Sequence, residues 1–489
     1  MTQLSSLPLH RLQERARPRN LRAAPVRLVL ALACTFLSAC STTPVYQPPD
    51  VAVPTQFKEA GATWAPAVPA DALERGAWWE LFGDEGLNRL ARQVLISNQN
   101  IAAAVAAYAQ AEALVRQQRA GLLPSVSLSG GATRTGGDGA ARSGNNTQAS
   151  LGINWAPDLW GRLQDGVSSA QASAQATQAD LASARLSAVG TLASAYFQLR
   201  EADAEIALLG ATVEGYERSL QIVQNRYAAG VVAQTDVLQA QTQLANARAD
   251  LANVQQTRAR QEHALAVLTG QAPAGFDVPT ARWVPTVPDV PPGMPSTLLQ
   301  RRPDIASAER AVAAANAQIG VQQAAFFPSI SLGASLGTGG TSVADLFRVS
   351  SSVWSLGLSV AQTIFDAGAT AARVEQAQAA RDARAAQYRQ TVLGAFQSVE
   401  DQLSALRTLA QQEPLRQQAV SAAGRTAQQL LNRYNAGQVS FTDVVNAQAA
   451  ALTAQRALLQ LQVNRQIAVV GLIQALGGGW QPSWSGSAT

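Results

Sequence analysis

The chain has 489 residues, 47% of them hydrophobic but only 6% aromatic and 14% charged, which excludes a disordered or heavily solvated polymer. Its apolar excess is largely Ala, with Gln and Ser between, a composition suited to close-packed helices rather than one large globular core. The formal charge is +4, and two Cys with two His exclude a disulfide framework, a Cys/His zinc site and a Cys–His nucleophile pair by count alone.

The first forty residues set the compartment. Arg11, Arg15, Arg17, Arg19, Arg22 and Arg27 precede the apolar run Leu28 to Leu37, which has the length of a signal-peptide core and is too short to span a bilayer. The run closes on Leu37-Ser38-Ala39-Cys40, which resembles the bacterial lipobox. The expectation is a lipoprotein signal peptide over 1–39, an N-terminal lipid on Cys40 as the only added group, and a lipidated extended segment over 40–75. Ser41 after the Cys points to the outer membrane. Removing 1–39 takes away six Arg and Glu14, so 37 basic and 33 acidic residues become 31 and 32. The pI of 9.4 therefore belongs mainly to the signal and implies no nucleic-acid partner.

Two strands come next. Val126 and Leu128 alternate with Ser125, Ser127 and Ser129; Leu151, Ile153 and Trp155 alternate with Gly152 and Asn154. A polar loop is expected between them, Gly136 to Gln148, and Trp155, Trp160 and later Trp354 read as interfacial aromatics. From Gly161 to Tyr227 there is no Pro. Leu192, Leu199, Ile206, Val213, Leu220 and Tyr227 repeat every seven residues, with Ala195, Ala202, Leu209, Tyr216 and Val223 three further on. One helix of about 67 residues, roughly 100 Å long, is predicted. Gly230 follows it, where a residue with positive φ ends a helix and reverses the chain. His263 falls on the next helix with no partner cluster.

A Pro-rich linker over 273–300 leads to Arg302-Pro303-Asp304, where Pro suits a first helical position and Asp complements the helix N-terminus. Ile330 and Leu332 then alternate with Ser and Gly, as do Trp354, Leu356, Leu358 and Val360, with a loop Gly339 to Ser352. A second long helix keeps the phase of Val392, Val399, Leu406, Val420, Ala427 and Tyr434. Glu413-Pro414 is expected to kink or break it. Gly437 repeats Gly230.

The two halves are copies. Asn225-Arg226-Tyr227-Ala228-Ala229-Gly230 returns 207 residues on as Asn432-Arg433-Tyr434-Asn435-Ala436-Gly437, and Thr235-Asp236-Val237 returns as Thr442-Asp443-Val444. The predicted organisation is a first repeat over 76–272, the linker, a second repeat over 301–478 and a tail over 479–489. Each strand has the length and pattern of a transmembrane strand of an outer-membrane barrel. Four strands cannot close, because a bilayer leaves no edge unpaired. Two chains would give eight strands and three would give twelve.

Together these features resemble the outer membrane factors of tripartite efflux systems, in their lipoprotein (OprM/NodT-like) branch, with TolC more distant. Local motifs carry the likeness: Trp78-Trp79-Glu80-Leu81-Phe82-Gly83-Asp84, Arg301-Arg302-Pro303-Asp304-Ile305, Ile364-Phe365-Asp366-Ala367-Gly368 and Ala475-Leu476-Gly477-Gly478-Gly479-Trp480. The resemblance implies an α+β membrane protein: a homotrimer whose twelve-stranded transmembrane β-barrel, four strands per chain, continues into a long periplasmic α-helical barrel. It implies a passive exit duct, not an enzyme, working with a periplasmic adaptor (membrane fusion protein) and an inner-membrane pump, often of the RND class. An outer-membrane component of type I protein secretion is the alternative. A periplasmic adaptor lipoprotein is a weaker one, since no lipoyl-like domain is legible. No metal, phosphate-loop or triad pattern appears.

The resemblance also places the docking of the adaptor's hairpins at the Gly230 and Gly437 turns. Asp236 and Asp443, just after those turns, leave two readings open. Both acids stabilise helix N-termini, worth about 0.3–1 kcal/mol each, or threefold symmetry gathers Asp443 into an acidic ring at the narrowest point. The family's constriction acids map to Asp443 and to a position three residues on. Here that position is Asn446, so the ring is expected to be less negative and weaker for divalent cations.

Overall fold

The computed structural model describes residues 44–60, 76–136, 144–290, 299, 301–478 and 480. The signal peptide, Cys40 and nearly all of the tail lie outside the described residues, as do parts of the 40–75 and 273–300 segments. In chain order the main described elements are α1 (Glu85–Ser97), α2 (Gln99–Ala120), β1 (Ser125–Thr135), β2 (Gly144–Trp155), α3 (Arg162–Ala228) and α4 (Gln234–Leu268). They continue with α5 (Pro303–Gln323), β3 (Ser329–Gly340), β4 (Ser352–Ala361), α6 (Ala369–Asn435) and α7 (Phe441–Ala475). The run α2-β1-β2-α3-α4 recurs as α5-β3-β4-α6-α7, and the duplication extends to length. Both α3 and α6 have 67 residues, and both α4 and α7 have 35.

The heptad seam explains α3. Ala195, Ala202, Leu209, Tyr216 and Val223 are all buried, as are Leu192 and Leu199, against α4, α5 and α7. In α6 the expected break is absent, and the helix runs through Pro414 without interruption. A Pro removes one ladder bond but does not force an end when its neighbours are tied elsewhere. Glu413 is paired with Arg465 of α7, and residue 414 itself is exposed. Among the described residues no helix is long and apolar enough to cross a membrane.

The strands form one antiparallel sheet in the order β1-β2-β3-β4. Its register sorts the side chains cleanly. Leu128, Leu151, Leu336 and Trp354 form one cross-strand row; Val126, Ile153, Ala334 and Leu356 form the next; Trp155, Leu332 and Leu358, then Ile330 and Val360, complete an apolar face. Most of these side chains are exposed in the single chain, Leu128 at 81% and Trp354 at 75%. The opposite face is mostly Ser, Gly, Asn and Gln, with Thr133, Val353 and Ala361 among them and hydroxyl pairs Ser129–Ser150 at 2.8 Å and Ser335–Ser355 at 2.9 Å. Arg134 is the one charged residue in the four strands. Among the described residues both outer strands, β1 and β4, have a free edge.

One expectation about the sheet needs correction. Gly144 to Gln148 belongs to β2 and Gly339-Gly340 to β3, so the connections are shorter than their polar composition suggested. The ladder continues there regardless, as in Arg134 opposite Asn145. Trp354, the third residue of β4, lies on the apolar face near the strand end. Trp160 lies beneath the sheet, stacked on Phe327 at 4.9 Å and donating to Pro328 O at 2.7 Å. Exposed Leu123, Phe326, Ile364 and Phe365 gather at the same base.

Below the sheet the principal core packs α1 and the Trp78–Phe82 turn against α3, α5, α6 and α7. Trp78 and Trp79 are buried there edge to face at 5.9 Å, so the pair packs the core. Asp84 caps α1 and accepts from Tyr196 at 2.7 Å. Arg200 bonds Asp203 and Pro279 O, both at 2.8 Å, which staples the linker to α3. Pro303 is the first residue of α5, as predicted. Arg302 binds Asp304 and donates to Ala475 O at 2.8 Å, joining the start of α5 to the end of α7. His263 is exposed on α4.

Candidate functional site

At the end of the molecule far from the sheet, two turns stand side by side. Gly230 has φ +73° and Gly437 has φ +72°, so both glycines hold the left-handed conformation expected of them. Their hydrogen bonds match one for one. Gly230 N donates to Tyr227 O and Gly437 N to Tyr434 O, each at 2.9 Å; Val231 N donates to Arg226 O and Gln438 N to Arg433 O, again each at 2.9 Å. That pattern closes a helix through its last carbonyls and turns the chain back.

Between the turns lies a small apolar cluster of Val223, Val237, Ala240, Tyr434, Phe441 and Val444. Arg226 holds it together. Its Nη1 donates to Tyr434 O at 2.9 Å, and its guanidinium stands 4.7 Å above the Tyr434 ring. Burial raises the Tyr434 hydroxyl above the ordinary phenol range; Arg226 opposes that shift and Asp236 adds to it. Sequence reasoning quoted Arg226 only as part of a repeated motif. The signal was its adjacency to Tyr in both copies.

The two equivalent acids are not equivalent in structure. Asp443 forms a capping box with Ser440, accepting from its N–H at 3.1 Å and its hydroxyl at 2.6 Å, while Asp443 N donates to Ser440 Oγ at 3.3 Å. Asp236 follows Ala233, which has no side chain to complete such a box. The helix-cap reading thus fits Asp443 better than Asp236. Asn446 lies one turn beyond Asp443, exposed, on a groove of about 590 Å³ between α4 and α7. Gln239, Thr242, Gln243 and Asn246 line the other side, and Thr442 donates to Gln239 at 3.2 Å. The groove ends at Arg456, which bonds Glu205 of α3 at 2.5 Å and Asp250 of α4 at 3.4 Å. Next to this brace, burial and then the charge of Glu205 push Glu201 up to about 7. Among the described residues no cluster of three or more His, Cys, Asp or Glu could hold a metal ion.

The described N-terminal segment runs along α5 and α6. Asn316 donates to Pro44 O at 2.9 Å, Tyr46 donates to Glu309 with Arg310 against its ring, and Arg389 donates to Asp50 O at 3.2 Å. Lys58 N and Glu59 N then both donate to Glu400. Pro44 thus docks near the sheet end of α5 and Glu59 much further down α6.

The model of the family described as outer membrane efflux protein matches this chain twice in tandem, over residues 90–271 and 294–478. The pyoverdine export outer membrane protein OpmQ of Pseudomonas aeruginosa is 32% identical over 94% of this chain and 98% of its own. The probable efflux pump outer membrane protein TtgC of Pseudomonas putida is 32% identical over 93% and 95%. Among solved structures, the outer-membrane channel OprN aligns with a TM-score of 0.80 at 30% identity, over 91% of this chain and 100% of that one.

Proposed function

The chain belongs to the outer membrane efflux protein family, and from that premise we propose how its parts divide the work of an exit duct. It is an outer membrane efflux channel. Three chains supply four strands each to a twelve-stranded barrel, and their long helices continue it as a tunnel. The observation that carries this reading is a sheet with one bare apolar face and two unpaired edges, mounted on helices of 67 residues. In a bilayer such edges must be closed by other chains. The channel conducts passively: it supplies a path, and energy enters from an inner-membrane pump joined through a periplasmic adaptor. The cargo class is small molecules.

Three finer roles follow. Cys40 carries the lipid, and the course of the N-terminal segment along α5 supports this. Pro44 is the fourth residue after Cys40, a reach of up to about 14 Å. Asn316, which holds Pro44, is seven residues, or about 10 Å, from the sheet end of α5. The turns at Gly230 and Gly437 receive the adaptor's hairpins; their matched geometry supports two similar docking points per chain. Asp443 narrows the aperture as a threefold ring, with Asp236 beside it and Asn446 as the neutral position of the motif. Its exposure beyond the capping box leaves one carboxylate oxygen available to cations. Planar-bilayer recording tests the whole: detergent-purified protein should form cation-preferring channels of low conductance. A protein that inserts no channels and migrates as a soluble monomer would overturn the reading.

A further inference from the structure

The connection between β3 and β4 is built onto one face of the sheet. Its short helical turn, Val343–Phe347, begins with a capping box in which Asp345 accepts from the Ser342 N–H and hydroxyl, each at 2.9 Å. The turn packs back on β3 and β2. Gly340 tells which face it covers. In register Gly340 falls on the apolar face with Thr338 and Leu336, and a Cβ placed there would collide with the Asp345 side chain. Thr338 agrees, since its hydroxyl is buried and finds no hydrogen-bond partner among the described residues. The connection therefore leans over the apolar face and away from the Ser and Gly face.

The apolar face is unevenly filled. Large side chains occupy the rows from Ile330–Val360 up to Leu336–Trp354. Above them come small residues, with Ala149 and Thr338 in one row and Thr147 and Gly340 in the next, before Arg134 ends the face. Gly340 is ten residues beyond Ile330 on β3. That is roughly 33 Å along the strand, and a tilt of about 40° makes it about 25 Å of height, the apolar band of an outer-membrane barrel. The large side chains fill only about 15 Å of it. Val343 and Phe347, on the turn that overlies the small-sided part, are 65% and 85% exposed.

We propose that this turn is a lipid-contacting element. Val343 and Phe347 insert among the acyl chains of the outer leaflet and complete the apolar band where the strands carry too little side chain to do so. The partner is lipid because this surface continues the lipid-facing rows. Asp345, the acid between the two apolar residues, is turned into the capping box with its side chain only 18% exposed, and Arg348 is long enough to reach the headgroups.

The inference rests on the sheet being a membrane barrel, and the test separates the two. Phe347→Cys, Val343→Cys, Trp354→Cys and Ser331→Cys are each labelled with a thiol-reactive NBD dye and reconstituted in phosphatidylcholine–phosphatidylglycerol vesicles, the signal of the unmodified chain being subtracted. Lipid carrying a nitroxide near the top of its acyl chain should quench the dye at positions 347, 343 and 354, and iodide should not. The dye at position 331, on the polar face, should respond to iodide alone. Adding Gly340→Ala, which sets a Cβ against Asp345, should lift the turn and restore iodide quenching at position 347. Lipid quenching at 354 but at neither 347 nor 343 would overturn the proposal and leave the barrel standing. A dye at 347 reached by neither quencher would overturn it too, because protein would then cover the turn. No lipid quenching at 354 would sink the channel reading and the proposal together.

Discussion

Asp443→Ala removes two accepted hydrogen bonds at the start of α7, from Ser440 N–H and Ser440 Oγ, together with one negative charge per subunit. Asp443→Asn keeps an oxygen to accept the Ser440 N–H and removes only the charge. An acid in the first turn is worth about 0.3–1 kcal/mol per chain, so Asp443→Ala should lower the heat-dissociation temperature measurably. Asp443→Asn should lower it by much less. A charged ring at the axis predicts a different ordering: cation preference and block by multivalent cations fall equally in both variants, because both lose the charge. Asp236→Ala is the control, since no side-chain box is built at that helix start. Thermal dissociation and reversal potentials, measured on the same three variants, separate the two functions. Reversal potentials unchanged in both Asp443 variants, with stability lost only in Asp443→Ala, would refute the ring and leave Asp443 a helix cap.

Four further outcomes are expected. Gly437→Ala should cost about 1–2 kcal/mol of tip stability by forcing a side chain to φ +72°, and Gly437→Asn less, read as increased proteolytic nicking at the turn; the cost is strain alone, since a Cβ there meets nothing within 4 Å. Glu201→Gln should raise thermal stability near neutral and higher pH and have little effect near pH 5. Burial lifts the folded carboxyl to about 7 while the unfolded one titrates near 4.3, so the native protein binds the extra proton and loses stability as pH rises between those values. Pro414→Ala should leave trimer formation intact and raise stability by up to about 3 kcal/mol, restoring a ladder bond in a helix that is already continuous. If Cys40 is fully acylated, an amine-reactive dye should label only Lys58, the single lysine of the sequence; Cys40→Ala should add a second, N-terminal label and lose acyl labelling.

The sequence made the long elements legible because their signals are periodic and uninterrupted. The heptads without Pro predicted a helix over 161–227, and α3 spans Arg162–Ala228. Alternation predicted the strands because each has one face for lipid and one for small polar groups. It misjudged their outer ends, where Asn, Gly and Thr continue the ladder above the apolar rows and composition alone resembles a turn. Pro414 misled for a local reason: its missing N–H costs one bond on an exposed surface, and the Glu413–Arg465 pair anchors the helix past it. At the tip, the glycines were readable from their place after each repeated Tyr. The Arg226–Tyr434 clasp was not, because the same dipeptide occurs in both copies and nothing in the sequence says which copy is buried against which. The asymmetry between Asp236 and Asp443 depends on one preceding residue, Ala233 against Ser440, which the likeness of the two copies obscured.

The central claim is that four strands with two open edges are one third of a closed barrel. Native mass spectrometry of the protein extracted from outer membranes in detergent tests it most directly. Three chains per particle is the predicted result; a stable particle of one or two chains that still conducts would contradict it.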